Sequence, residues 1–216
     1  MSLEFEQKSP LGKTDQLIVL IHGYGADGHD LIGLADPLQG VLPNALFLSP
    51  HAPDPCQVNP MGRQWFPISW LDGSDPVEME REFTKNALLF DKWLSTQISK
   101  AALPSQKVAL VGFSQGTMIG LQVAPRRGDP LGAVVGFSGR LLAPDALAAD
   151  VQTKPPVLLV HGDADDVVPY DSMALAETGL FSAGLNVETH TSKGVGHGIA
   201  QDGLETAATF LTRYLL

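Results

Sequence analysis

Lys107-Val-Ala-Leu-Val-Gly112-Phe113-Ser114-Gln115-Gly116 runs from an apolar segment straight into a glycine-flanked serine. Lys107 to Gly112 is a short apolar run with β-branched residues, which predicts a buried strand. Thr117 to Val123 follows with a helical pattern. Between them stands Gly-x-Ser-x-Gly. In a chain with 22 glycines that match alone is weak. Its setting, strand then sharp turn then helix, makes it specific. A serine on such a turn has its hydroxyl pushed above the sheet. The flanking positions press against neighbouring elements and require glycine. The helix that follows points its positive end at the hydroxyl.

Outward from this stretch, strand and helix alternate. Further strands are predicted at Gln16–His22, Ala45–Leu48, Leu131–Phe137, Pro156–His161 and Asn186–Thr191. Their two-sided apolar character suits parallel strands covered on both faces. Helices are predicted at Glu78–Lys100, Asp171–Ala183 and Gly203–Leu216. In the first, Phe83, Leu89, Phe90, Trp93, Leu94 and Ile98 form one apolar stripe. The order implies an α/β fold with a mostly parallel central sheet, flanked by helices with right-handed crossovers. At 216 residues the chain is read as a single domain, 1–216.

One segment breaks the rhythm. Ser49 to Pro76 carries Pro50, Pro53, Pro55, Pro60, Pro67 and Pro76, which argue against a regular helix or central strand. It also carries Met61, Trp65, Phe66, Trp70 and Leu71. A long ordered loop of this kind is a candidate functional loop, and its aromatics are expected to be exposed.

A serine hydroxyl needs a base. Of six histidines, only His161, His190 and His197 follow Ser114, as the order serine, acid, histidine requires. His190 lies within a predicted strand and His161 ends one. His197 sits in Gly194-Val-Gly-His-Gly198, a loop between the last strand and the last helix, and is the expected base. A carboxylate must orient it. Asp163, Asp165 and Asp166 cluster past the strand ending at His161, and the residues alone do not choose among them. The tetrahedral oxyanion of acyl transfer needs two N–H donors. Gln115 supplies one from its backbone. His22-Gly-Tyr-Gly25 follows an early strand, and the Tyr24 N–H is the expected second. Gly136-Phe-Ser138-Gly-Arg140 imitates the motif without the final glycine, and reads as a cleft wall or a turn. His22, His29, Asp27 and Asp30 match no metal-ligand spacing, so no metal is expected.

The net charge of −10 disfavours nucleic acid and anionic membrane as partners. The lone cysteine, Cys56, allows no intrachain disulfide and suits a cytoplasmic setting. No apolar run is long enough for stable membrane insertion.

The motifs HGYGADG (22–28), SPHAP (49–53), GRQWF (62–66), GFSQG (112–116), FSG (137–139), HGDADDVVP (161–169) and GVGHGI (194–199) stand in one order over nearly the whole chain. In this the chain resembles the phospholipase/carboxylesterase family of α/β-hydrolases, which includes the acyl-protein thioesterases. The resemblance implies a compact α/β-hydrolase fold without a large cap domain and a serine hydrolase that needs no cofactor. It implies catalytic Ser114, Asp165 and His197, with oxyanion donors at Tyr24 and Gln115. The substrate would be a small-molecule carboxylic ester or, alternatively, a long-chain acyl thioester. Some members form dimers, so the resemblance also allows a homodimer. Met61, Trp65 and Phe66 are expected to wall the acyl pocket. Pro67 and Thr117 depart from many relatives, which have aspartate and glycine there, and this leaves substrate choice open. A rival from another class is a non-catalytic binding protein on the same fold. A cysteine nucleophile, as in dienelactone hydrolase, is excluded at Ser114.

Overall fold

The computed structural model describes residues 3–216. Among the described residues nine strands occur: β1 (Phe5–Lys8), β2 (Gln16–Ile21), β3 (Ala45–Pro50), β4 (Asp54–Pro55), β5 (Arg63–Gln64), β6 (Val108–Phe113), β7 (Ala133–Phe137), β8 (Val157–Gly162) and β9 (Val187–Ser192). Seven of them form one sheet in the order β1-β3-β2-β6-β7-β8-β9, while β4 and β5 pair as a small separate ribbon. All pairs in the large sheet are parallel except β1 with β3. Strand order reverses on either side of β2 and β6, so their carboxyl ends open the crevice where an α/β sheet places its ligands.

Alternation along each strand divides the core into two layers. Leu17, Val19, Ile21, Val108 and Leu110 face one layer. Ile18, Leu20, Ala109 and Val111 face the other. Helices α4 (Pro76–Ala101), α5 (Gln115–Val123), α6 (Pro144–Asp150) and α7 (Asp171–Ser182) cover the first. Helices α1 (Gly28–Ile32), α2 (Ala35–Gln39) and α8 (Gln201–Leu215) cover the second.

Several expectations are corrected. The edge strand β1 is not foreseen, because four residues with partly exposed side chains carry no apolar run. Helix α4 begins at Pro76, inside the segment expected to resist helix. The Asp75 side chain caps it by accepting the Val77 N–H at 2.7 Å, and proline is tolerated in a first turn whose N–H groups lack helical partners. A one-turn helix, α3 (Ser69–Asp72), also forms between Pro67 and Pro76. Trp65 and Phe66, expected to be exposed, are both fully buried. Trp65 packs edge-on against Phe90, and Phe66 against Phe83, so α4 draws the pair into the core.

The glycines of the elbow are explained by close approach. A Cβ on Gly116 would lie 1.9 Å from the carbonyl oxygen of Ile21, and one on Gly112 would lie 2.5 Å from the backbone of Gly116 and Thr117. Helix α5 can therefore press onto β2 and β6 only without a side chain there. Gly116→Ala should lower stability by about 3 kcal/mol or more, read from urea denaturation. Gly33→Ala is the control. Gly33 has φ −58° and the nearest atom to an added Cβ is 3.7 Å away. It should be neutral or stabilising by up to about 1 kcal/mol. Equal midpoints for both variants would contradict the packing argument.

Candidate active site

Strand β6 delivers Ser114 into a backbone conformation at φ 53° and ψ −114°. A non-glycine residue there is strained, and the surroundings hold it. The Ser114 N–H donates to the Phe137 carbonyl at 2.8 Å. The Thr117 hydroxyl lies 2.9 Å from the carbonyl oxygens of both Gly112 and Phe137. Thr117 thus ties the turn between β6 and α5 to the neighbouring strand β7. Its role in the elbow is invisible in the sequence, because Phe137 lies twenty residues away.

Two loops bring the other groups in. His197, between β9 and α8, places Nε2 3.0 Å from Ser114 Oγ. Its Nδ1 lies 2.8 Å from Oδ2 of Asp165, in the loop after β8. Phe113 packs against the imidazole with ring centroids 4.9 Å apart. The Asp165 side chain is wholly shielded from solvent, while the imidazole keeps some exposure. Burial pushes the Asp165 carboxyl up. The His197 hydrogen bond, with the N–H groups of Val168 and Val167 on Oδ1, outweighs that and holds it below the usual carboxylate range. His161 adds a contact, its Nε2 standing 3.2 Å from Asp165 Oδ2 and 2.9 Å from the Val168 carbonyl.

The structure separates the three clustered acids. Asp165 reaches the ring. Asp163 instead accepts the Gly194 N–H at 2.6 Å and pairs with Lys193 at 3.0 Å, so it anchors the start of the loop that carries His197. Asp166 is exposed. His190 pairs with Asp202 at 2.9 Å, away from Ser114. Ser138 shares the positive φ of Ser114, at 47°, but no helix follows it directly.

The two expected oxyanion donors flank the serine. Gln115 is the first residue of α5, so its N–H has no carbonyl within the helix to bind. Gly23, preceding Tyr24, approaches so closely that an added Cβ would sit 3.2 Å from Ser114 Cβ. The Tyr24 hydroxyl donates to Asp72 Oδ2 at 2.8 Å, and burial together with that bond pushes the phenol up.

Side-chain clamps missed by the sequence reading join these parts. The Gln115 amide accepts the Trp65 N–H at 2.7 Å and donates to the Phe66 carbonyl at 2.7 Å. The Trp65 indole N–H donates to the His22 carbonyl at 3.1 Å. Trp65 and Phe66 therefore do not wall an open pocket, contrary to expectation; they form the wedge between the two donor loops. Met61 is 89% exposed at the tip of the β4–β5 ribbon. Open apolar surface is offered instead by Trp70 and Leu71 of α3, with Arg140 stacked over the Trp70 ring at 4.8 Å.

A set of potential metal ligands lies elsewhere. Glu6, His29 and His51 bring their donor atoms within 4.8 Å of one another. The Gly28 N–H donates to His51 Nδ1 at 3.2 Å, so the His51 proton sits on Nε2, facing Glu6 at 3.3 Å. An ion would need that nitrogen's lone pair. The group is a hydrogen-bonded tie between β1, α1 and the segment after β3.

The chain is similar to known proteins over nearly its whole length. The family model described as Phospholipase/Carboxylesterase matches residues 4–215. The crystal structure of esterase PE8 superposes with a TM-score of 0.94 at 39% identity, covering 100% of both chains. Acyl-protein thioesterase 1 of Gibberella zeae is 28% identical over 215 residues, covering 92% of this chain and 90% of that protein. Esterase YpfH of Escherichia coli (strain K12) is 27% identical over 214 residues, covering 98% and 88% respectively. With the family matched over nearly its full length and an α/β-hydrolase sheet beneath its site, the chain belongs to the phospholipase/carboxylesterase family of hydrolases.

Proposed function

We propose that the chain is a serine carboxylic-ester hydrolase that works through an acyl-enzyme on Ser114. The hydrogen-bonded line from Ser114 Oγ through His197 to buried Asp165, at 3.0 and 2.8 Å, carries this reading. His197 takes the hydroxyl proton as Ser114 attacks the acyl carbonyl, and returns it to the leaving group. Water then attacks the acyl-enzyme by the same route. Asp165, ionised and dry, holds the ring in one tautomer and stabilises the imidazolium that forms. The N–H groups of Tyr24 and Gln115 receive the oxyanion.

A long-chain acyl thioester is the second reading for the acyl donor. It is favoured by the exposed Trp70, Leu71 and Met61 and by the relatives named acyl-protein thioesterase. The substrate is a small molecule or an acylated residue rather than nucleic acid, given the charge of −10. A cytoplasmic setting fits the single buried Cys56, and no helix among the described residues is long and apolar enough to cross a membrane.

The first test is hydrolysis of p-nitrophenyl esters of graded acyl length, with Ser114→Ala as the blank. Ser114→Ala should lose about 10⁴-fold or more in kcat with its thermal unfolding intact. Turnover close to that of the unsubstituted protein would contradict the assignment. A non-catalytic binding protein would also fail to react with a fluorophosphonate probe. Asp165→Asn should lose roughly 10²–10⁴-fold in kcat, through the wrong imidazole tautomer. It should also change the acid limb of stability. A carboxyl held low in the folded state contributes stability above its unfolded value, and that contribution fades as pH falls through the folded value. Asp165→Asn should therefore flatten the fall of unfolding free energy with pH below about 4. An unchanged slope would contradict the ionised, hydrogen-bonded Asp165.

A further inference from the structure

His22 is a buried, titratable group that the Ser114–His197–Asp165 line does not use. It stands between β2 and the loop carrying Tyr24. Its tautomer can be read from its partners. The Ala52 N–H, which can only donate, points at Nε2 from 3.0 Å. Nε2 therefore holds the lone pair and the proton of the neutral ring lies on Nδ1. Nδ1 is 2.7 Å from the carbonyl oxygen of Gly23 and donates to it. Burial holds the imidazole down to about 4, against a smaller upward pull from the Gly23 carbonyl, so the ring is neutral near pH 7.

The Gly23 carbonyl and the Tyr24 N–H are opposite ends of one planar peptide. Fixing where the oxygen points fixes where the N–H points. The other bond to that oxygen, from the Ala26 N–H, is long at 3.4 Å. No acceptor among the described residues pairs with the Tyr24 N–H. The preceding peptide is also held, because the Trp65 indole donates to the His22 carbonyl at 3.1 Å and its ring packs on the imidazole with centroids 5.5 Å apart. Donation to an amide oxygen also strengthens the N–H at the far end as a donor.

We propose that His22 is a positioning residue for ester hydrolysis: its Nδ1–H, by holding the Gly23 carbonyl, aims and polarises the Tyr24 N–H toward the oxyanion that forms on Ser114. This rests on the serine-hydrolase reading. The full negative charge exists only along the path through the tetrahedral adduct, so the effect falls on kcat rather than KM.

The test compares His22→Asn with His22→Gln on a p-nitrophenyl ester, with the Ser114→Ala rate subtracted. The asparagine amide replaces the Nδ1 donor. The glutamine amide reaches the Nε2 position and restores only the contact to Ala52. His22→Gln should lose about 10- to 100-fold in kcat with KM changed less than about twofold. His22→Asn should keep at least about tenfold more kcat than His22→Gln. The reverse ranking, or losses carried by KM, would overturn the proposal and leave His22 as a tie to Ala52 alone. Nitrogen-15 NMR of the unsubstituted protein at pH 7 needs no variant to fold. It should show His22 as the Nδ1–H tautomer, and an Nε2–H tautomer or an imidazolium would overturn the proposal. Failure of the underlying reading is separately visible, as an unsubstituted protein without any Ser114-dependent rate.

Discussion

The strained turn at Ser114 sets where every other group of the site must stand. The backbone there adopts a positive φ that a serine avoids when free, at a cost of order 1–3 kcal/mol. What holds it is contact between backbones. Gly116 lies against the Ile21 carbonyl, Gly112 lies against the first turn of α5, and the Ser114 N–H is bound to β7. Three central strands and one helix thus converge on five residues. Their burial in both core layers keeps the turn from relaxing.

Around that turn, the other groups of the site come from separate loops. Each is tied to a neighbour by a polar bond with a defined direction. Asp163 holds the start of the loop bearing His197. The N–H groups of Val167 and Val168 keep Asp165 charged in a dry site. Gln115 and Trp65 connect the elbow to the segment after β5, and Trp65 continues to His22. Ground-state order of this kind matters because preorganised dipoles need no rearrangement when charge appears.

Much of this is legible in the sequence, and the limit has a physical cause. The sheet is readable because two-sided burial forces continuous apolar strands. The meeting of Ser114 with His197 follows from chain order and from glycine spacing that only close packing demands. Choosing Asp165 over Asp163 and Asp166 is beyond local reasoning, because all three occupy one loop and differ only in what they face. Trp65 and Phe66 look like surface aromatics because prolines surround them; their burial is decided by Phe83 and Phe90 on α4, many residues away. The amide clamp of Gln115 and the carbonyl bond of His22 leave no pattern at all, since the first needs partners some fifty residues distant and the second depends on a ring tautomer.

In the proposed reaction Ser114 carries the acyl group between two chemical steps. Rapid-quench mass spectrometry of the protein mixed with a p-nitrophenyl ester would catch that intermediate. An adduct of the acyl mass on the peptide containing Ser114, formed at least as fast as steady-state turnover, is the expected result. Sustained turnover with no adduct on that peptide, or with the adduct on another residue, would contradict it.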